Sequence, residues 1–284
     1  RGQARRIPCE PPARVLCPMS ASSSSPRSAW ADWWAGTRNV DLWWTLAWYD
    51  TVLRYRRSLL GPLWITLSMG LLLLGMGPLY AVLFGVPLQR FYPHLALGVI
   101  VWHFLVGAVT DGCQVFIAAA PYLKQAAFPL SAFVWRSLAR LVIQFAHHIL
   151  LYVPVAVWAG VPASPRLLLV VPGLIVVLVN LHAIMTILGI LTARFRDVAP
   201  IAAAAMQFLM FLTPVFWMPD SLHGRARQVL WNPLAQLLDV IRLPLLAAAP
   251  APGTWRFLAV FTLVTVCVAG GLYASCRRRV VYWI

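Results

Sequence analysis

Residues 119–133 read Ala-Ala-Pro-Tyr-Leu-Lys-Gln-Ala-Ala-Phe-Pro-Leu-Ser-Ala-Phe, and they contain Lys124, the only lysine of the chain. Apolar stretches of twenty or more residues flank this segment, and short arginine-bearing breaks separate them. The pattern predicts a polytopic membrane protein with a short amphipathic elbow on its cytoplasmic face. It also removes one enzymatic reading. A phosphate-binding loop needs Gly-x-x-x-x-Gly-Lys-Ser/Thr, and Lys124 has no glycine near it. Any ATP-driven work must therefore use a nucleotide site on another subunit.

Composition supports a membrane location. The chain is 61% hydrophobic and 11% charged, whereas soluble domains carry about 25% charged residues. Its net charge of +15 would suggest nucleic acid if it were clustered on one soluble face. Here the arginines sit at the ends of apolar segments, where they set orientation, so no nucleic-acid partner is expected. Cys9, Cys17, Cys113, Cys267 and Cys276 show no paired spacing, so neither a disulfide framework nor a metal site is indicated. Residues 1–26 hold arginines, prolines and a serine run but no apolar h-region. They are expected to form a disordered cytoplasmic tail, with Met19 a candidate natural start.

Half of the fourteen tryptophans lie before residue 65, and Leu42, Leu46, Tyr49 and Leu53 recur at helical spacing before Arg54, Arg56 and Arg57. Tryptophan favours the headgroup layer and arginine favours anionic lipid, so residues 27–57 read as an interfacial helix. A spanning helix needs about 20 apolar residues. Six spans are predicted, over 60–84, 93–118, 137–161, 166–193, 198–217 and 254–275. Residues 233–246 are helical in pattern yet too short to cross, and carry Asp239, Arg242 and Pro244. They read as an extracytoplasmic re-entrant or interfacial helix between the fifth and sixth spans. With six spans and both ends cytoplasmic, 17 of the 23 basic residues fall inside, as the positive-inside rule requires. The fold class is thus an all-α integral membrane protein.

Asp111 is the one acid well inside a span, either as a functional group or as a packing group bonded to a neighbouring helix. His103, His147, His148, Asn180 and His182 also lie within spans, but no catalytic arrangement stands out. Aromatics gather near the outer ends of two spans: Tyr80 and Phe84, then Phe208, Phe211, Phe216 and Trp217. They serve either as interface anchors or as a lining over which sugar rings slide.

Four motifs carry a resemblance. They are Tyr55-Arg56-Arg57-Ser58-Leu59-Leu60-Gly61-Pro62-Leu63-Trp64; Arg194-Phe195-Arg196-Asp197; Gln207 leading to Thr213-Pro214-Val215-Phe216-Trp217; and Asn232-Pro233-Leu234 followed by Arg242. In this order the chain resembles the permease subunits of bacterial ABC exporters for O-antigen, capsule and teichoic-acid polymers. The resemblance implies that residues 121–129 are a coupling helix docking on a cytoplasmic ABC ATPase through Tyr122, Lys124, Gln125, Phe128 and Pro129. It implies that Arg54, Tyr55, Arg56 and Arg57 brace a cytoplasmic gate whose inner turn is fixed by Arg196 and Asp197. It also implies a homodimer in the bacterial inner membrane, with the first and fifth spans lining a channel for a lipid-linked polysaccharide. The chain itself would hold no cofactor, since ATP and magnesium belong to the partner ATPase. A drug or lipid exporter permease and a proton-coupled carrier remain the rival readings.

Overall fold

The computed structural model describes residues 26–56, 63–125, 128–218 and 231–284. The expected tail, apart from Pro26, lies outside the described residues, as do Arg57 and the side chain of Tyr55. Ten α-helices follow in order: α1 Pro26–Arg38, α2 Val40–Tyr55, α3 Leu63–Phe84, α4 Leu88–Gln125, α5 Leu130–Ile149, α6 Tyr152–Ala159, α7 Val170–Arg194, α8 Val198–Leu212, α9 Pro233–Leu245 and α10 Pro252–Trp283. A 3₁₀ turn, Pro165–Leu169, leads into α7. No strand occurs among the described residues.

Five helical runs are long and apolar enough to cross a membrane: Leu63–Phe84, Leu88–Gln125, Leu130–Ala159, Pro165–Arg194 and Pro252–Trp283. The expected fifth span, 198–217, is helical only to Leu212. Thr213 is extended (φ −93°, ψ 137°) because the following Pro214 disfavours helical geometry at the residue before it. At 1.5 Å per residue, the 15 residues of α8 reach only about 22 Å, short of an apolar core of about 30 Å.

Proline also shapes the third run. Residues 137–161 form two helices, α5 and α6, with turns at Leu150 and Leu151. Pro154 has no N–H to donate to the carbonyl of Leu150, and its ring crowds that carbonyl. By contrast, Pro121 does not end α4, which runs on through Lys124 to Gln125. The expected separate coupling helix is thus the last turns of α4 joined to a short bend before α5. A proline removes only its own N–H from the ladder, and α4 continues for about one turn beyond Pro121.

The expected single helix 27–57 is two helices. Asn39 leaves helical geometry (ψ 64°) between them, while Trp135 Nε1 donates to Thr37 Oγ1 at 3.1 Å and holds the junction against α5. The tryptophans divide accordingly. Trp30, Trp34, Trp44 and Trp48 are exposed. Trp33 turns inward, edge-on to Tyr273 (4.8 Å) and His182 (5.2 Å), and Trp43 stacks on Trp135 (5.7 Å).

Helix α4 is the axis of the core, with most of its length buried. It meets α7 closely: a Cβ on Gly112 would lie 2.9 Å from Met185 Cα, and one on Gly189 would lie 2.6 Å from a Val115 methyl. Small residues at such crossings let helices approach where lipid supplies no hydrophobic drive.

Candidate functional site

Most of the described charged groups gather at one end of the bundle. Here lie the α4–α5 elbow, α1 and α2, the α7–α8 turn and the end of α10. Ser131 Oγ donates to Trp33 O at 2.9 Å, Arg277 pairs with Asp32 at 3.1 Å, and Tyr273 OH donates to Asp32 at 2.6 Å. Arg194 stands over the Trp283 ring at 5.6 Å, and Arg196 Nη2 donates to Trp283 O at 3.4 Å. Asp197 precedes α8 but makes no side-chain cap, contributing its carbonyl to Ile201 N at 3.2 Å.

At the elbow, Tyr122, Lys124, Gln125 and Phe128 are exposed and Pro129 is half-buried, while Leu123 and Leu130 point into the core. This leaves two aromatic knobs and one cation facing outward. Phe133 backs both knobs, 5.9 Å from Tyr122 and 6.3 Å from Phe128. Arg136 covers Tyr122 from inside at 5.1 Å. That same guanidinium makes a bidentate pair with Asp50 on α2, at 2.6 and 2.7 Å. The elbow is therefore tied to α2 through one arginine, and a planar fork on a carboxylate fixes direction as well as distance.

One helical turn further into α5, Arg140 donates to Asp111 of α4 at 2.6 Å. The intramembrane acid thus has an ion-pair partner on a neighbouring helix. Arg54 and Arg56 are exposed. Arg54, Asp50, Arg136 and Arg140 line a cleft of about 270 Å³ between α2, α4 and α5. Sequence reasoning used Arg136 and Arg140 only to count topology and passed over Asp50. The available signal was spacing: Arg136, Arg140, Gln144 and His148 recur every four residues, hence on one helix face.

At the opposite end, Arg242 of α9 is 2% exposed and makes a hub. It pairs with Asp239 and donates to Pro214 O at 2.6 Å. His94 Nε2 lies 3.1 Å from Arg242 Nη1 and 3.2 Å from Trp217 O. A single ring nitrogen can accept from the first or donate to the second, not both. Backbones pack closely beside it: a Cβ on Gly98 would lie 2.7 Å from Val215 O, and one on Gly173 would lie 2.7 Å from Val240 O. Asn232, at the α9 N-cap, accepts from Leu234 N at 3.0 Å and donates to Thr213 at 2.9 Å.

The aromatic residues converge in part. Tyr80 stacks on Phe84 (5.9 Å) and on Phe216 (5.6 Å), joining the end of α3 to the chain after α8. Phe208 and Phe211 stay exposed on α8. Trp217 turns back to donate to Phe211 O at 3.2 Å.

The family model for ABC-2 type transporters matches residues 41–246, well over half of the chain. The chain belongs to the ABC-2 type transporter family. No curated protein matches it. This ABC-2 protein is accordingly a multi-pass transmembrane permease, a transport subunit whose family implies association with an ABC ATPase. Among the described residues no group of three or more His, Cys, Asp or Glu could hold a metal ion.

Proposed function

We propose that this permease works as a homodimer with two ATPase subunits, exporting a lipid-linked polysaccharide such as O-antigen across a bacterial inner membrane. ATP binding on the partner draws the two elbows together, and Arg136 passes that motion to α2. Both termini are cytoplasmic, α8 with residues 213–217 makes the fifth of six crossings, and α9 is the outer re-entrant helix. The alternating ends support this path, since Arg196 meets Trp283 near the start of α8 and Trp217 meets His94 at its far side.

The observation that carries the cargo reading is the stack of Tyr80, Phe84 and Phe216, together with the exposure of Phe208 and Phe211 on α8. Sugar rings can slide on aromatic faces, which make few directional demands on them. One observation favours a drug or lipid exporter instead: the open face of α3 is aliphatic at Leu67, Leu71, Leu74, Leu79, Val82 and Leu83. A proton-coupled carrier has less support, because Asp111 is held by Arg140.

Inverted vesicles containing the permease and its ATPase distinguish these readings. The proposal expects ATP-dependent uptake of polyprenyl-linked glycan, weakened by Tyr80→Ala/Phe216→Ala. ATP-dependent movement of a hydrophobic dye without glycan uptake would replace the cargo reading. Uptake that follows a proton gradient and is lost in Asp111→Asn would replace the mechanism.

A further inference from the structure

The geometry points to a binding site for the phosphodiester group of an anionic membrane lipid, in the cleft where Arg54, Arg136 and Arg140 converge against Asp50 and Asp111. This rests on the reading that α2 lies along the membrane surface, and it adds a ligand that the export reading does not require.

Charge is the first argument. Two of the three guanidinium groups already have carboxylate partners, Arg136 with Asp50 and Arg140 with Asp111. Arg54 has no ion pair with a described residue, yet its side chain lines the same cavity. The cluster therefore keeps one positive charge. A phosphodiester carries one negative charge, and guanidinium N–H groups match its oxygens in geometry.

Room and surroundings are the second. The cleft has about 270 Å³ of space, and Ser137 adds a hydroxyl beside the arginines. Val115, Ala118, Ala119 and Phe133 give the same cleft apolar walls. Acyl chains can lie on them while the phosphate sits against Arg54. A free inorganic phosphate would have no use for those apolar walls.

The third is the shape of what lies beyond. A narrow gap lined by Thr51, Arg54, Arg140 and Gln144 leads on. It shares Ile65 and Gln144 with a second cavity of about 290 Å³, which Ser68, His103 and His148 also line. The polar face of α5 thus runs from Arg136 and Arg140 to Gln144 and His148 with depth, so the guanidinium groups that match a phosphate stand at the shallow end.

The test uses purified permease in detergent, titrated with short-chain phosphatidylglycerol and read by native mass spectrometry. One lipid per chain is expected to stay bound to the wild type, and phosphatidylcholine, which carries its own cation, is expected to bind far more weakly. Arg54→Gln should weaken phosphatidylglycerol binding roughly tenfold, the effect of one charge-assisted group. The double variant Asp111→Asn/Arg140→Gln removes a donor without stranding a charge and should also weaken it, while Arg278→Gln on α10 should not. Unchanged binding in Arg54→Gln, or equal loss in Arg278→Gln, overturns the site. Equal retention of phosphatidylcholine overturns the charge argument. Release of the lipid by millimolar inorganic phosphate reassigns the site to free phosphate, whereas retention supports the lipid. Neither ATPase nor glycan takes part, so failure here leaves the export reading standing, and failure of export leaves this site standing.

Discussion

The two ends of the bundle are held by opposite means. At the elbow end, separate helices are joined by side-chain ion pairs that are only partly buried: Arg136–Asp50 with side chains 16% and 31% exposed, and Arg140–Asp111 with 19% and 30%. At the other end, one enclosed arginine bonds to a carboxylate, a histidine and a backbone carbonyl, and glycines let main chains touch. Ion pairs in partial contact with water exchange partners at little cost. A buried arginine cannot lose its carboxylate without stranding a charge, and Arg242 is 2% exposed. The elbow end is therefore built to rearrange and the far end to hold still.

The contrast breaks most directly at Arg242. Arg242→Leu leaves Asp239 and the Pro214 carbonyl unpaired and is expected to cost about 3–5 kcal/mol, seen as a large drop in the unfolding temperature of the detergent-solubilised protein. Asp239→Asn/Arg242→Leu should recover part of that loss. Wild-type stability in Arg242→Leu would mean that the far end is not held by its hub. Next comes Gly98→Val, whose side chain meets Val215 O; overpacking of this kind should cost about 1–3 kcal/mol by the same measurement.

At the elbow end the effects should be smaller and dependent on salt. Arg136→Ala should cost roughly 1 kcal/mol, yet uncouple ATP hydrolysis from transport when the partner ATPase is present. Exchanging the pair in Asp50→Arg/Arg136→Asp should restore coupling. Raising ionic strength from about 0.1 M to 1 M shortens the Debye length from about 10 to 3 Å, so the coupling energy of Arg136 with Asp50 in a double-mutant cycle should fall. That of Arg242 with Asp239 should barely change. The smallest effect is expected between the two ends, where Asn180 joins Thr262 and Thr265 at 2.7 and 2.9 Å. Hydrogen bonds between membrane helices average about 0.6 kcal/mol, and Asn180→Ala should lose about that much per bond.

Much of this arrangement was legible in the chain. Hydropathy locates the long apolar helices, and Lys124 with its flanking aromatics marks the elbow that the structure leaves open. Local chemistry could also have ended α8 correctly, because Thr213-Pro214 is a helix stop; the apolar run continuing to Trp217 concealed it. The break at Pro154 was concealed in the same way. Hydropathy averages over such breaks, since a proline changes the backbone without changing the polarity of its window. The pairing of Asp50 with Arg136 and of Asp111 with Arg140 was out of reach. An arginine near the end of a span satisfies the topology rule whether it meets lipid phosphate or a carboxylate on another helix. Only the packing of α2 and α4 against α5 decides between them.

Helix α4 runs unbroken for 38 residues, about 57 Å at 1.5 Å per residue, and carries Tyr122 near one tip and His94 near the other. Between those two residues the helix stays continuous, with Pro121 the one proline in the path. A push at the elbow would therefore reach the far end as tilt or thrust of one helix, with the Arg242 hub as the bearing against which it pivots.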